Sequence, residues 1–458
     1  MFYNDPILMK KLHFLLFICL ISSEIRSQLI SGPMLGPVEL RTASIWCESK
    51  PGSVIKLEFW PEDALEQKRS LSPESFVRFK HQIDKFNLID LQPGTNYSYQ
   101  LIVNNKTRPV NASGHFKTQV LWNYRFPAPD FSFLAGSCAF TNETVYDRPG
   151  KPYGGDSSIF NQMAKEDAAF MLWLGDNWYY REVDYGSNWG LWYRASRDRS
   201  RPALQPFLIK MAHYAIWDDH DYGLNNDNQS FIYKDETRKV FDQYWCNPQV
   251  ADKGGIYTRF SYNDVDFFLM DDRSFRTSDY MKDSINGQPN PNKKMWGKQQ
   301  LNWLKNQLLT SRAPFKIIAN GTPILNQYNN HDCMVHFVLE QQELLQFIED
   351  EQINGVIFLT GDRHHSEISR KKLKNGYYLY DIVNSSLTAG PHILSEREIN
   401  NPDLLADKTV NQNNYTRFLI NGKPKERTLK LEFKDLNGNV LKDWLVNENE
   451  LKFITESK

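Results

Sequence analysis

The sequence predicts a layered α/β domain behind a smaller all-β module. Three observations predict this. From Phe131 onward, apolar runs of strand length alternate with stretches of helical period. Before Val120 the pattern is short alternating strands separated by turn residues. The two textures meet in residues 122–130, a segment carrying Pro127 and Pro129. The chain has 458 residues, enough for two or three domains, and its 41% hydrophobic and 14% aromatic content supports a large core. With 54 Lys+Arg against 55 Asp+Glu the net charge is -1, so no global field favours nucleic acid or anionic lipid as a partner.

Taken in chain order, the first element is a leader. Lys10 and Lys11 precede an apolar run over residues 12–22, with a polar exit near Gln28. This is the pattern of a secretory signal over residues 1–27, too short to span a membrane. Export follows as an expectation: a secreted, periplasmic or cell-surface protein. Of the five cysteines, Cys19 leaves with the leader, so Cys47, Cys138, Cys246 and Cys333 remain, too few for a disulfide scaffold. No CxxC spacing occurs, which excludes a zinc ribbon.

Residues 28–122 form the β module, with strands expected at 38–46 and 54–60. Its segment Leu91-Gln92-Pro93-Gly94-Thr95-Asn96-Tyr97-Ser98-Tyr99 resembles the late-strand corner of fibronectin type III and Ig-like sandwiches. There a tyrosine hydroxyl bonds back across the corner. The module holds few residues suited to chemistry and reads as a spacer or docking unit. In the second domain, residues 128–458, helices are expected over 157–168 (Ile159, Phe160 and Met163 on one face), 297–309 (Leu301, Leu304 and Leu308) and 339–349. A β-hairpin is expected over 428–446 around Asn437-Gly438.

The chemistry lies in one device used five times: an apolar run stops and polar ligand types follow at once. The five stops are Gly136-Ser137-Cys138, Gly175-Asp176-Asn177-Trp178-Tyr179, Asp218-Asp219-His220-Asp221, Asp271-Asp272-Arg273 and Gly361-Asp362-Arg363-His364-His365. Ligands of open α/β sheets bind outside the carboxyl ends of the strands, so these stops converge. Any single Asp at such a place is more often a helix cap or turn residue. Five together repel unless a cation sits among them. Adjacent His364 and His365 cannot both face one point. Arg273 and Arg276 fit a clamp for an anionic substrate.

Those five motifs, in that order and followed by Asn384-Ser385-Ser386-Leu387-Thr388, resemble the PhoD-like alkaline phosphatases, a branch of the calcineurin-like metallophosphoesterases. The resemblance covers about residues 128–391. It implies a four-layer metallophosphoesterase sandwich, two mixed sheets flanked by helices, and a site combining Fe3+ with Ca2+. Matched by motif, Cys138, Asp176 and Tyr179 would bind the ferric ion with a strand-end group, Asp362 or His364. Thiolate and phenolate suit such a metal. Asp176 would bridge to Asp219 and Asn225, oxygen ligands suited to calcium. His220 would donate a proton. The first Asp-x-His motif of the wider superfamily is replaced here by Ser137-Cys138, which points to the PhoD branch.

The expected function is exported, metal-dependent hydrolysis of phosphate monoesters, with diesters also possible substrates. The nucleophile would be a metal-bound hydroxide, with Arg273 or Arg276 stabilising the transition state. Two other readings stand beside it. One is a glycoside hydrolase using a carboxylate pair such as Asp219 and Asp272. The other is a non-catalytic surface adhesin with structural metals.

Overall fold

The computed structural model describes residues 29–104, 106–107, 112–328, 332–374 and 377–454. The expected export signal lies outside the described residues. The β module is a sandwich built from β1 (Leu29–Val38), β2 (Ala43–Ser49), β3 (Ile55–Pro61), β4 (Arg69–Leu71), β5 (Glu74–Arg78), β6 (His81–Leu88), β7 (Asn96–Val103), β8 (Lys106–Thr107) and β9 (Ser113–Lys117). One sheet runs β1-β2-β6-β5; the other runs β4-β3-β7-β8, with β9 also on β7. Pairing is antiparallel throughout. The expected corner is present, since the Tyr97 hydroxyl accepts from the backbone N–H of Gln92 at 2.9 Å. The strand expected at 38–46 is in fact two, because the chain turns between them and Glu39 N–H donates to Thr42 O at 2.8 Å. Apolar alternation continues through this short turn, so period alone does not mark it.

Two six-stranded sheets follow. The first is built from β10 (Phe131–Gly136), β11 (Phe170–Leu174) and β12 (Ala212–Ile216), all parallel. The second takes β13 (Thr258–Tyr262) and β14 (Val265–Leu269); a small hairpin, β15 (Ser284–Ile285) with β16 (Gln288–Pro289), stands outside it. Next come β17 (Phe315–Ala319), β18 (Val356–Thr360), β19 (Glu367–Lys372) and β20 (Tyr378–Val383), in the order β13-β14-β17-β18-β20-β19. The chain then returns to the first sheet as the antiparallel β21 (Tyr415–Asn421), β22 (Thr428–Lys434) and β23 (Val440–Asn447), giving β12-β11-β10-β21-β22-β23. The last pair is the hairpin expected around Gly438, whose φ is +84°.

The sheets face each other across an aromatic layer. Phe133 of β10 stacks on Phe418 of β21 at 4.7 Å and meets Phe267 of β14 edge-on at 5.3 Å. On the outer side of β11, Trp173 contacts Phe160 of helix Ser158–Met163. Helices Gly297–Thr310 and Val338–Asp350 bury Leu301, Leu304, Leu308, Leu344 and Ile348. The central strands are therefore covered on both faces, which explains their continuous apolar runs. The helix expected over 157–168 stops at Met163, and Ala164 and Lys165 close it with backbone turns. The result is a four-layer α/β fold of two mixed sheets between helices. No helix among the described residues is long and apolar enough to cross a membrane.

Candidate metal centre

The carboxyl ends of β10, β11, β12, β14 and β18 deliver the five motifs to one end of the paired sheets. Three of these strands, β10, β11 and β18, stop in left-handed backbone. Cys138 (φ +60°), Asp176 (+54°), Asp362 (+68°) and His364 (+57°) all hold the left-handed conformation. Non-glycine residues enter that region at a cost and concentrate at functional sites. Gly175 (φ +91°) precedes Asp176 for a steric reason too, since a Cβ there would lie 2.6 Å from Asp218 Cβ.

Two groups of donors share Asp176. Donor atoms of Cys138, Asp176 and His364 lie within 4.8 Å of one another, and so do those of Asp176, Asp219 and His220. Cys138 Sγ is 3.7 Å from Asp176 Oδ2. Tyr179 Oη lies 3.2 Å from His364 Nε2, and its ring sits 4.3 Å from that of His220. Asp362 is half-buried beside both groups, near enough for its charge to act on Cys138 and Asp176. His365 turns away, and its Nε2 is 3.2 Å from Glu367 Oε2. Asn225 is not brought to the cluster: it is exposed, and its amide donates to Asn226 Oδ1. The neighbouring Asn226 binds instead, its backbone N–H donating to Asp219 Oδ2 at 2.6 Å. A register of one residue in a tight polar turn separates the two, and no periodicity in the sequence fixes it.

The carboxylates of the third motif divide their work. Asp221 caps the site from behind, accepting from the backbone N–H of Asp218 (2.6 Å) and of Asn177 (3.1 Å). Asp218 accepts from Arg273 Nε at 2.7 Å. Asp219 faces the donors, and its Oδ1 is buried without a hydrogen-bond partner among the described residues. Arg273 and Arg276 are both fully buried, and Asp332 bridges them: Arg273 Nη2 donates to its Oδ2 at 2.5 Å and Arg276 Nη2 to its Oδ1. Arg276 also donates to Asp279, yet its Nη1 has no partner among the described residues. Sequence reasoning missed Asp332, which stands 59 and 56 residues away from its two arginines. It also missed Ser385, whose hydroxyl donates to Cys138 Sγ at 3.1 Å and accepts from His364 N–H at 3.0 Å.

Electrostatics tests whether the residues fit a cation. Burial pushes the Cys138 thiol up to about 12, with only partial relief from Ser137 and Ser385. Burial, then Asp219 and Cys138, holds Asp176 well above the usual carboxylate range. Tyr179 is raised by burial and by Asp176. Burial and Asp332 lift Asp362 to about 8. Burial opposes charge on Asp219 too, but His220 and Arg273 outweigh it and hold the carboxyl at about 2. Groups this close disfavour one another's charged forms, and a cation reverses that. The donor set of sulfur, phenol, imidazole and carboxylate, with Asp219 Oδ1 left over, fits metal binding.

Comparison with known proteins gives the same direction. The model of the PhoD-like phosphatases matches residues 133–435. The chain belongs to the PhoD-like phosphatase family. Alkaline phosphatase D of Bacillus subtilis (strain 168) is 24% identical over 352 residues, 66% of this chain. The match spans 57% of that relative's length. A solved structure of PhoD superposes with a TM-score of 0.74 at 18% identity, covering 93% of this chain and 92% of the other. Purple acid phosphatase PPD1 from yellow lupin (Lupinus luteus) seeds superposes with a TM-score of 0.65 at 12% identity, covering 91% and 74%. At these identities both likenesses are of fold.

Proposed function

We propose that this chain is an exported metal-dependent phosphoesterase hydrolysing phosphate monoesters, and diesters where the pocket admits them. The observation that carries this is the double donor group sharing Asp176 at the strand ends. Cys138, Tyr179 and His364 would hold a ferric ion with Asp176, and Asp219 would hold calcium on the oxygen-rich side. Asp362 would serve as a further ligand. Such ions supply Lewis acidity toward the phosphoryl oxygens and toward the attacking water.

The protein's own groups do the rest. Ser385 fixes the Cys138 sulfur and the His364 backbone. Asp221 and Asp218 hold the Asp218–Asp221 turn, which aims Asp219 inward. Arg276 offers its unpartnered Nη1 to a phosphoryl oxygen, while Arg273 is engaged by Asp218 and Asp332 and serves to orient them. A guanidinium N–H aimed at the extra charge of the transition state is worth about 2.7–4 kcal/mol. His220, its ring against Tyr179, protonates the leaving alcohol.

The glycoside hydrolase reading is weaker on this geometry. Asp272 accepts from the N–H and hydroxyl of Thr322, at 2.9 and 3.1 Å, instead of facing a cleft with Asp219. Export rests on the basic and apolar leader pattern of residues 10–28. The test is elemental analysis of the purified chain with an aryl phosphate assay before and after chelation. Bound iron and calcium with chelator-sensitive hydrolysis support the reading. Full hydrolysis by metal-free protein refutes it.

A further inference from the structure

A cavity of about 840 Å³ opens at the opposite end of the second sheet from the metal cluster. Its floor is the amino ends of β14, β17 and β18, at Asp264, Lys316 and Asn354, whereas the metal cluster draws on the other ends of β14 and β18. Its wall is the interdomain linker, through Trp122 and Phe126. A space of this size holds a drug-sized organic molecule.

The lining is cationic, with six Lys or Arg side chains against three Asp or Glu. The acids are partly spent inside the protein. Asp264 accepts from Arg427 Nη2 at 2.9 Å, and Glu448 lies 3.7 Å from Lys452. The cations are not all spent. Lys316 is 6% exposed and has no carboxylate within ion-pair distance among the described residues. Its ammonium donates to Ala313 O and Asn354 O, at 2.8 and 3.0 Å, which leaves one of its three N–H groups. Asp266, its partner across β14 and β17, is turned to the hydroxyls of Ser261 and Ser311. Burial lowers the Lys316 ammonium to about 8; Asp266 opposes this, and the nearby Arg312 adds a lesser lowering effect. Arg427 is 1% exposed and paired with Asp130 and Asp264 at 2.6 and 2.9 Å, so that only its Nε is buried without a partner among the described residues. A buried ammonium beside a second cation asks for an anion, as the acidic nest at the other end asks for a cation.

We infer that this cavity is a second, non-catalytic binding site for an organic polyanion. The charged groups of that ligand sit on Lys316 and Arg312, with the Nε of Arg427 behind them, and its apolar part lies against Trp122 and Phe126. The site is independent of the phosphoesterase reading. It ties the linker to the second sheet and anchors an anionic molecule away from the reacting bond.

The test is calorimetric titration of the full chain with naphthalene trisulfonate, an aromatic trianion that is no phosphate ester. Binding of one equivalent that weakens with added salt is the expected result. Affinity then falls at least tenfold in Lys316→Met and several-fold in Arg312→Ala, an exposed rim position that guards against a folding defect in the first. Aryl phosphate hydrolysis without the probe is unchanged in both. Absence of binding overturns the inference, as does equal affinity in both variants. So does loss of binding in Arg276→Gln, which would place the probe at the catalytic end.

Discussion

Asp176 is the residue on which both donor groups depend. It is 1% exposed, contacts Cys138 on one side and accepts from the His220 backbone N–H at 3.1 Å on the other. Replacing it by Asn keeps the volume and removes the negative charge that would hold the ions. Asp176→Asn should therefore lose bound metal and hydrolysis together, by roughly 100-fold or more, since even outer-shell partners of metal ligands cost 10–100-fold. Metal content and aryl phosphate turnover on the same preparation check it, and retained turnover would remove Asp176 from the site. His220 separates two roles. Its ring nitrogen falls within ligand range of Asp176 and Asp219, yet its place beside Tyr179 suits proton donation. With His220→Asn, a proton donor is lost and the metal stays, so kcat drops roughly 10²–10⁴-fold at unchanged metal content. Metal lost in proportion to activity would make His220 a ligand instead.

At the scale of elements, the strand end is the working unit. Its backbone sets the left-handed turn, and a small neighbour makes room for it. At Gly175 a methyl group would strike the Asp218 backbone nitrogen at 2.9 Å as well as its Cβ, in a conformation that L-residues resist. Gly175→Ala should therefore destabilise the fold by more than the 1 kcal/mol of a simple Gly–Ala change and displace Asp218 from Arg273. Denaturant midpoints and metal content read the two effects separately. This unit is also what the sequence displays best. An apolar run followed at once by Gly-Asp or Ser-Cys marks both the buried strand and the polar side chain at its end, so the strand ends that bring Cys138, Asp176, Tyr179 and Asp219 together were legible, while their expected roles came from the family resemblance. That Asn226 meets Asp219 through its backbone N–H while Asn225 is exposed is set in a loop, where no period marks the register. Asp332 was out of reach for a different cause: its contacts with Arg273 and Arg276 are made by tertiary packing, with neither residue near it in the chain. The helices and the C-terminal hairpin were legible to within a few residues, apart from the early stop at Met163.

Across the whole molecule, the sandwich is docked by hydrogen bonds as well as by packing. Trp46 Nε1 donates to Gln243 O at 2.8 Å, Gly32 N–H to Gln205 Oε1 at 2.8 Å and Ser196 Oγ to Glu48 Oε1 at 2.7 Å. Glu39 lies in the same contact, in the turn between β1 and β2. Its Oε2 accepts from Gln119 Nε2 at 2.9 Å, and the phenols of Tyr214 on β12 and Tyr262 on β13 feel its charge. Burial raises its carboxyl from 4.5 to about 7. Between those values the folded chain holds a proton that the unfolded chain has released. Its contribution to stability is therefore complete below pH 4.5, declines across the window and is gone above pH 7. Glu39→Gln keeps the amide acceptor for Gln119 and removes the titration. The variant should match the parent at the acid end of the window and exceed it in stability at pH 8. Denaturant midpoints of both proteins at pH 5 and pH 8 decide the matter. A parent-minus-variant difference that does not grow more negative with pH would mean that Glu39 stays ionised in the folded chain, and that the junction between the domains admits more water than its packing indicates.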